Sequence, residues 1–104
     1  MNVASVVSGV FFKEKIDAAI KRTNSQHTFC GTIAEVRLAN PHIVLVDLEH
    51  PEAHMVLREY GAKAIAFGPH MRQELLAVAR EFGAQAYPRS VFFSQLDKLL
   101  HLHE

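Results

Sequence analysis

Asp47 is the residue best placed to do chemistry, because it ends an apolar run and is followed by a short polar turn and Pro51. The run, Ile43 to Val46, is made of β-branched residues and leucine without polar alternation, which is typical of a strand covered on both faces. Parallel sheets of this kind bind their ligands at the carboxyl ends of the strands. If the chain has a chemical site, it is therefore expected around Asp47.

Two histidines, His50 and His70, and one arginine could join Asp47 at the same sheet edge. His50 and His54 are four residues apart, a spacing that suits two metal ligands on one helix face, and His70 follows the fourth predicted strand. A zinc or nickel site from Asp47, His50 and His70 is one interpretation. The favoured interpretation is that this spacing arises by chance in a chain with seven histidines, so we predict no metal. Arg89, after the fifth predicted strand, could bind an anion, but pairing with a nearby acid is favoured.

Other catalytic patterns cannot be recognised in the sequence. Cys30 has no base beside it and is expected to be a small buried apolar residue. The sequence shows no recognisable Ser/His/Asp nucleophile motif. A glycine-rich phosphate-binding loop is also missing, because Ser8-Gly9 has one glycine and such loops contain several. We therefore predict no cofactor and no enzymatic activity.

Chain length, charge and cysteine content indicate the number of domains, the kind of partner and the compartment. A chain of 104 residues is expected to form one domain, residues 1–104. Its eleven basic and eleven acidic side chains balance, which gives no reason to expect nucleic acid or an anionic membrane as a partner. The single cysteine excludes an internal disulfide and fits a reducing compartment. The apolar run from residue 3 to residue 12 is too short to span a bilayer, and we predict a cytoplasmic protein.

Strand and helix patterns alternate along the whole chain. Strands are predicted at 3–7, 27–30, 43–47, 63–67 and 84–87, and helices at 11–23, 32–40, 51–60, 74–82 and after residue 90. The strands are too apolar for one-sided exposure, which predicts a parallel sheet with right-handed crossovers. The expected fold is a flavodoxin-like, three-layer α/β/α sandwich with strand order 2-1-3-4-5 and helices divided three and two between the faces.

Helix ends are marked by residues with strong positional preferences. Thr32 and Glu35 have the spacing of a capping box at the start of the second helix. Pro41 disfavours helical geometry in the residue before it and so predicts that this helix ends near Asn40. Gly61 and Gly83 are predicted to follow the third and fourth helices at the C′ position.

This pattern resembles the receiver domain of two-component response regulators. The resemblance rests on the chain length, the alternation of elements and the run Asp47-Leu48-Glu49-His50-Pro51. Gly83 to Tyr87, followed by Phe92, also resembles the family's fifth-strand region. The resemblance implies a signalling role, with Asp47 in the place of the phosphoacceptor.

The chain departs from the receiver pattern at the other signature positions. Family members place two acids after the first strand, which hold magnesium together with the acceptor aspartate, but here those positions are Ser8 and Gly9. A hydroxyl and a bare backbone cannot replace two carboxylates around a hard cation. The family's switch hydroxyl after strand four falls on Gly68, and its lysine after strand five falls on Ser90, beside Arg89. The chain therefore resembles a degenerate receiver, or pseudo-receiver.

The function predicted from these features is a stand-alone signalling module that acts through protein contacts, without metal-dependent phosphotransfer. A phosphoaccepting response regulator that uses Asp47 is the first alternative, and a small-ligand or metal-binding α/β domain is the second. The resemblance also implies a homodimer through the face of helix four, strand five and helix five. The last helix is rich in apolar residues, most of which core packing should absorb: Phe92, Phe93, Leu96, Leu99 and Leu100.

Overall fold

The computed structural model describes residues 1–103 and contains five strands that alternate with five α-helices. The strands are β1 (Asn2–Val6), β2 (Gln26–Phe29), β3 (Ile43–Asp47), β4 (Ala64–Gly68) and β5 (Gln85–Pro88). The helices are α1 (Val10–Lys21), α2 (Ile33–Ala39), α3 (Ala53–Tyr60), α4 (Gln73–Glu81) and α5 (Arg89–His101), and a single 3₁₀ turn covers Gly61–Lys63. No helix within residues 1–103 is long and apolar enough to cross a membrane.

All five strands are parallel and follow the order β2-β1-β3-β4-β5. This order confirms the predicted flavodoxin-like α/β fold. Every residue of the central strand β3 is buried, because helices cover both faces of the sheet. The carboxyl end of β3 lies between the ends of β1 and β4, so Asp47 occupies the switch point at which such sheets bind ligands.

Two apolar cores lie on opposite faces of the sheet. Alternate residues of β3 serve different faces: Val44 and Val46 pack under α2, α3 and α4, whereas Leu45 packs under α1 and α5. This division of three helices and two is the predicted one. In α5 the core hides Phe92, Leu96, Leu99 and Leu100 and part of Phe93.

The predicted ends of α2 are confirmed. The backbone N–H of Glu35 donates to Thr32 Oγ1 at 3.2 Å, which satisfies one of the free amides of the first turn. Glu35 Oε1 in turn accepts from the Thr32 hydroxyl at 3.3 Å. At the other end, Asn40 adopts a left-handed conformation with φ of 47°, which stops the helix directly before Pro41.

The two helix-ending glycines have different roles. Gly83 has φ of 90° and follows α4 at the predicted C′ position, where its N–H and that of Ala84 donate to carbonyls of the last turn in a Schellman motif. The same prediction for Gly61 is wrong, because this residue keeps helical angles, φ −43° and ψ −50°, and begins the 3₁₀ turn. Gly61 is required by space, since a Cβ there would lie 2.0 Å from the Phe82 carbonyl oxygen.

Candidate functional site

Asp47 lies at the carboxyl end of β3 with only 2% of its surface exposed. Both carboxylate oxygens accept backbone hydrogen bonds: Oδ1 from the N–H of Glu49 at 3.0 Å, and Oδ2 from the N–H of Ser8 at 3.3 Å. The Asp47 carbonyl also accepts from the N–H of His50 at 2.9 Å, which closes a turn after the strand. The carboxylate therefore joins the loop after β1 to the loop after β3.

This bonding pattern is that of an Asx turn with one additional cross-link. An aspartate side chain that accepts from the amide two residues later stabilises a tight turn by local bonding. The bond to Ser8 reaches across 39 positions of sequence and fixes the neighbouring loop. With both oxygens engaged and the group buried, Asp47 has the geometry of a structural carboxylate.

Ser8 and Gly9 form the loop that faces Asp47. Ser8 contributes its backbone N–H to the Asp47 carboxylate. Gly9 has φ of 88° and ψ of 132°, a conformation that residues with a side chain rarely adopt. Gly9 also precedes α1 as an N-cap without a side-chain hydrogen bond, and the first turn of α1 has no acidic residue.

The remaining receiver-signature positions surround the same edge of the sheet. Gly68 ends β4 and is buried, and a Cβ placed on it would lie 3.5 Å from Leu48. Arg89 begins α5, forms an ion pair with Glu49, and places its guanidinium carbon 5.2 Å from the centroid of the Phe12 ring. This is the acid pairing favoured from the sequence. Ser90 is exposed in the first turn of α5.

The structure does not bring Asp47, His50 and His70 together into a metal site. His50 Nδ1 accepts a hydrogen bond from the N–H of Glu52 at 3.0 Å, and the exposed His54 ring packs edge-on against Phe82. His70 is exposed in the loop after β4. Among the described residues, no group of three or more His, Cys, Asp or Glu side chains could hold a metal ion.

A second polar cluster, which the sequence did not reveal, lies beneath α1. His27 Nε2 is 2.7 Å from the Ser5 hydroxyl, and His27 Nδ1 is 3.2 Å from Asp17 Oδ1. With its proton on Nδ1, the ring donates to Asp17 and accepts from Ser5. The three residues thus have the connectivity of a Ser-His-Asp relay.

This cluster is structural. Ser5 has no exposed surface, because it lies in the middle of β1 under α1, so its hydroxyl cannot reach a substrate from solvent. The only polar side chain in β1 beyond Asn2 is thereby satisfied, which a buried hydroxyl requires. In the sequence, Ser5 could have indicated this contact, because a polar residue in a buried apolar strand needs a hydrogen-bond partner. Its partner could not be named without the register of β2 against β1.

Burial lowers the pKa of His27 below its usual 6.5, and the neighbouring Asp17 carboxylate opposes this only in part. Hydrogen bonds from Lys21 and then from His27 lower the pKa of Asp17, which therefore stays charged near neutral pH. Below pH 6.5 the unfolded chain protonates His27 while the folded chain resists protonation. The free energy of unfolding should therefore fall as the pH is lowered through this range.

We predict that the parent protein loses stability between about pH 7 and pH 5 and that His27→Gln loses less over the same interval. Urea denaturation followed by circular dichroism at each pH measures the difference. His103→Gln is the matched control, because His103 is exposed, and it should keep the parent slope. Parallel pH profiles for the parent and His27→Gln would contradict the assignment.

Cys30 is a poor candidate for a nucleophile. The side chain is 4% exposed, and burial raises the pKa of its thiol, with the nearby Glu35 carboxylate adding to the shift. Because the thiolate is the reactive form, the thiol is held in its unreactive state at neutral pH.

The sequence matches no protein-family model and no curated protein.

Proposed function

We propose that this protein is a non-enzymatic pseudo-receiver, a signalling module that acts through protein contacts without phosphotransfer. The observation that carries the proposal is the state of Asp47. Its carboxylate is 2% exposed and both oxygens accept backbone N–H groups. A phosphoacceptor must present an oxygen to its donor in line with the transferred phosphoryl group, and here that approach is closed.

The surroundings of Asp47 support the same proposal. Phosphoryl transfer to a carboxylate needs a divalent cation to neutralise the developing charge, and such a cation needs several oxygen ligands. Ser8 offers its backbone N–H to the site, which is a donor and therefore repels a cation. Gly9 has a positive φ, so an acid in its place would require a strained or rearranged loop.

An exposed face around β5 supports a role in protein contacts. A groove of about 250 Å³ runs beside β5 and α5. Its lining is half apolar or aromatic (Tyr87, Leu99 and Leu102) and half polar (Gln85, Gln95 and Lys98). Leu102, the residue that follows α5, lines this groove and is 71% exposed. Apolar side chains at a groove rim favour association. This is the face through which we propose that the protein pairs with a second copy or with another protein.

Treatment with acetyl phosphate and magnesium tests the proposal directly. We expect the intact mass of the protein to stay unchanged, because Asp47 is closed to the donor and no acid pair is present to hold the cation. The measurement is intact-protein mass spectrometry at neutral pH, with a phosphate-accepting receiver domain treated in parallel to show that the donor is active.

The variant Asp47→Asn separates the proposal from the phosphoaccepting alternative. An adduct that forms on the parent protein and is lost in Asp47→Asn would establish Asp47 as a phosphoacceptor and would overturn the pseudo-receiver proposal. An adduct of equal yield in both proteins would instead report non-specific acylation or phosphorylation elsewhere and would leave Asp47 without a role in transfer.

A further inference from the structure

A cluster of aromatic rings rises from the core to the surface between α1 and α5. Phe67 and Phe92 are fully buried, with ring centroids 4.6 Å apart. Above them Phe12 and Phe93 are stacked, 5.4 Å apart and inclined by 15°. Phe11, which contacts the edge of Phe12, is 64% exposed. We name Phe11, Phe12 and Phe93 the aromatic ridge. Phe12 and Phe93 both pack on the buried Phe67, so these two rings have little conformational entropy to lose when a partner binds.

Lys15 lies over this ridge. Its ammonium group is 4.6 Å from the centroid of Phe11 and 5.2 Å from that of Phe93, both within the range of cation–π attraction. Within residues 1–103 no carboxylate lies within ion-pair distance of Lys15. The aromatic faces thus position a cation whose solvent side is free to meet an anion.

A groove continues from the ridge along the seam between the two helices. It has a volume of about 310 Å³ and is lined by Lys15, Ala18, Ala19, Arg22, Phe93 and Leu96. Its floor is apolar, and both charged side chains among these residues are basic. Arg22, at the far end, is held by Asp97 through two hydrogen bonds. The uncompensated charge therefore lies at the end that carries Lys15 and the exposed Phe11.

We propose that the aromatic ridge and this groove bind an acidic protein segment that carries an apolar anchor residue. The anchor packs on Phe11 and Phe93, and a neighbouring carboxylate pairs with Lys15. This inference names a class of partner for the protein-contact role proposed above and rests on that role. It concerns a surface different from the face around β5.

The distribution of charge favours a protein segment over a polyanion. Asp97 neutralises Arg22 at one end of the groove, so within the described part of the chain Lys15 is the one cation of the groove lining without an ion pair. A peptide can match a single lysine with one carboxylate, whereas a nucleic acid or an anionic membrane presents many negative charges. The chain has no net charge at neutral pH, so no long-range field attracts a polyanion. Electrostatic complementarity at one point and an apolar floor are the features of a peptide groove.

Fluorescence anisotropy with a labelled peptide tests this assignment. The probe is an amphipathic peptide with leucines at helical spacing and glutamate elsewhere, and its matched partner carries glutamine in place of each glutamate. We expect the acidic peptide to bind the parent protein more tightly than the glutamine peptide. Lys15→Gln should weaken the acidic peptide by about threefold to fivefold, and Phe11→Ser by about tenfold.

Lys63→Gln is the control variant, because Lys63 is exposed in the 3₁₀ turn before β4, and it should bind as the parent does. Equal affinity for both peptides, or no loss in Lys15→Gln, would overturn the assignment. Tighter binding of vesicles containing phosphatidylserine, or of a single-stranded oligonucleotide, with the same dependence on Lys15 would also overturn it. The mass experiment on Asp47 is independent, so failure of one proposal is distinguishable from failure of the other.

Discussion

Replacing Gly61 by alanine is expected to lower the free energy of unfolding by about 3 kcal/mol or more. A Cβ at this position would lie 2.0 Å from the carbonyl oxygen of Phe82 and 2.9 Å from its carbonyl carbon. Ordinary contacts of a Cβ begin near 3.4 Å, so the end of α3 would have to move away from the end of α4. The obstacle is backbone on both sides, and neither side can relieve the clash by changing a rotamer.

Urea denaturation of Gly61→Ala, followed by circular dichroism, measures this loss. Gly31→Ala is the matched control, since a Cβ there would meet only Glu35 Oε1, at an ordinary 3.5 Å. That variant should stay within about 0.5 kcal/mol of the parent. A similar midpoint for both variants would mean that the two helix ends are free to separate, contrary to the packing described above.

The fold could be predicted from the sequence because its signals are local and agree with one another. The unbroken apolar run of β3 requires cover on two faces, and only helices on both sides of a sheet supply it. Thr32 and Pro41 set the ends of α2 through bonds and sterics that span a few residues. Such features do not depend on how distant parts of the chain pack, so a prediction made from the local sequence also holds in the folded protein.

Features that depend on packing between distant parts of the chain could not be predicted from local sequence. Gly61 follows a helix pattern in the sequence and so resembles a helix terminator. In the structure a glycine is needed there because the backbone of Phe82, 21 positions later, packs directly against it. The contact of His27 with Ser5 depends on the register of β2 against β1, and the contact with Asp17 depends on the rotation of α1. Neither quantity is encoded in a short window of sequence.

The site around Asp47 combines both kinds of information. The order of the strands was enough to place Asp47 beside the loop after β1, and the bond from Ser8 bears out that proximity. The state of the carboxylate was not predictable, because an aspartate at a strand end can face solvent or turn back onto amides. That choice decides whether Asp47 is suited to receive a phosphoryl group or to hold two loops together.

Asp47→Ala is expected to destabilise the protein by about 2–3 kcal/mol, because two backbone N–H groups would lose a charged acceptor. Asp47→Asn should lose less, about 1 kcal/mol, since its amide oxygen can still accept one of the two bonds. Urea denaturation at neutral pH measures both changes. Asp97→Ala is the matched control: Asp97 is exposed and pairs with Arg22 on the surface, so its loss should cost less than about 1 kcal/mol.

The sign of this change separates the two roles of Asp47. An acid kept for chemistry is held in an unfavourable environment, with its oxygens left free for a cation and a phosphoryl group, so its removal commonly leaves stability unchanged or increases it. An acid kept for structure has the opposite signature, because the amides of Ser8 and Glu49 depend on it. If Asp47→Ala were more stable than the parent, the result would count against the pseudo-receiver. If Asp47 holds two loops together, the loss in free energy of unfolding should instead be small in Asp47→Asn and larger in Asp47→Ala.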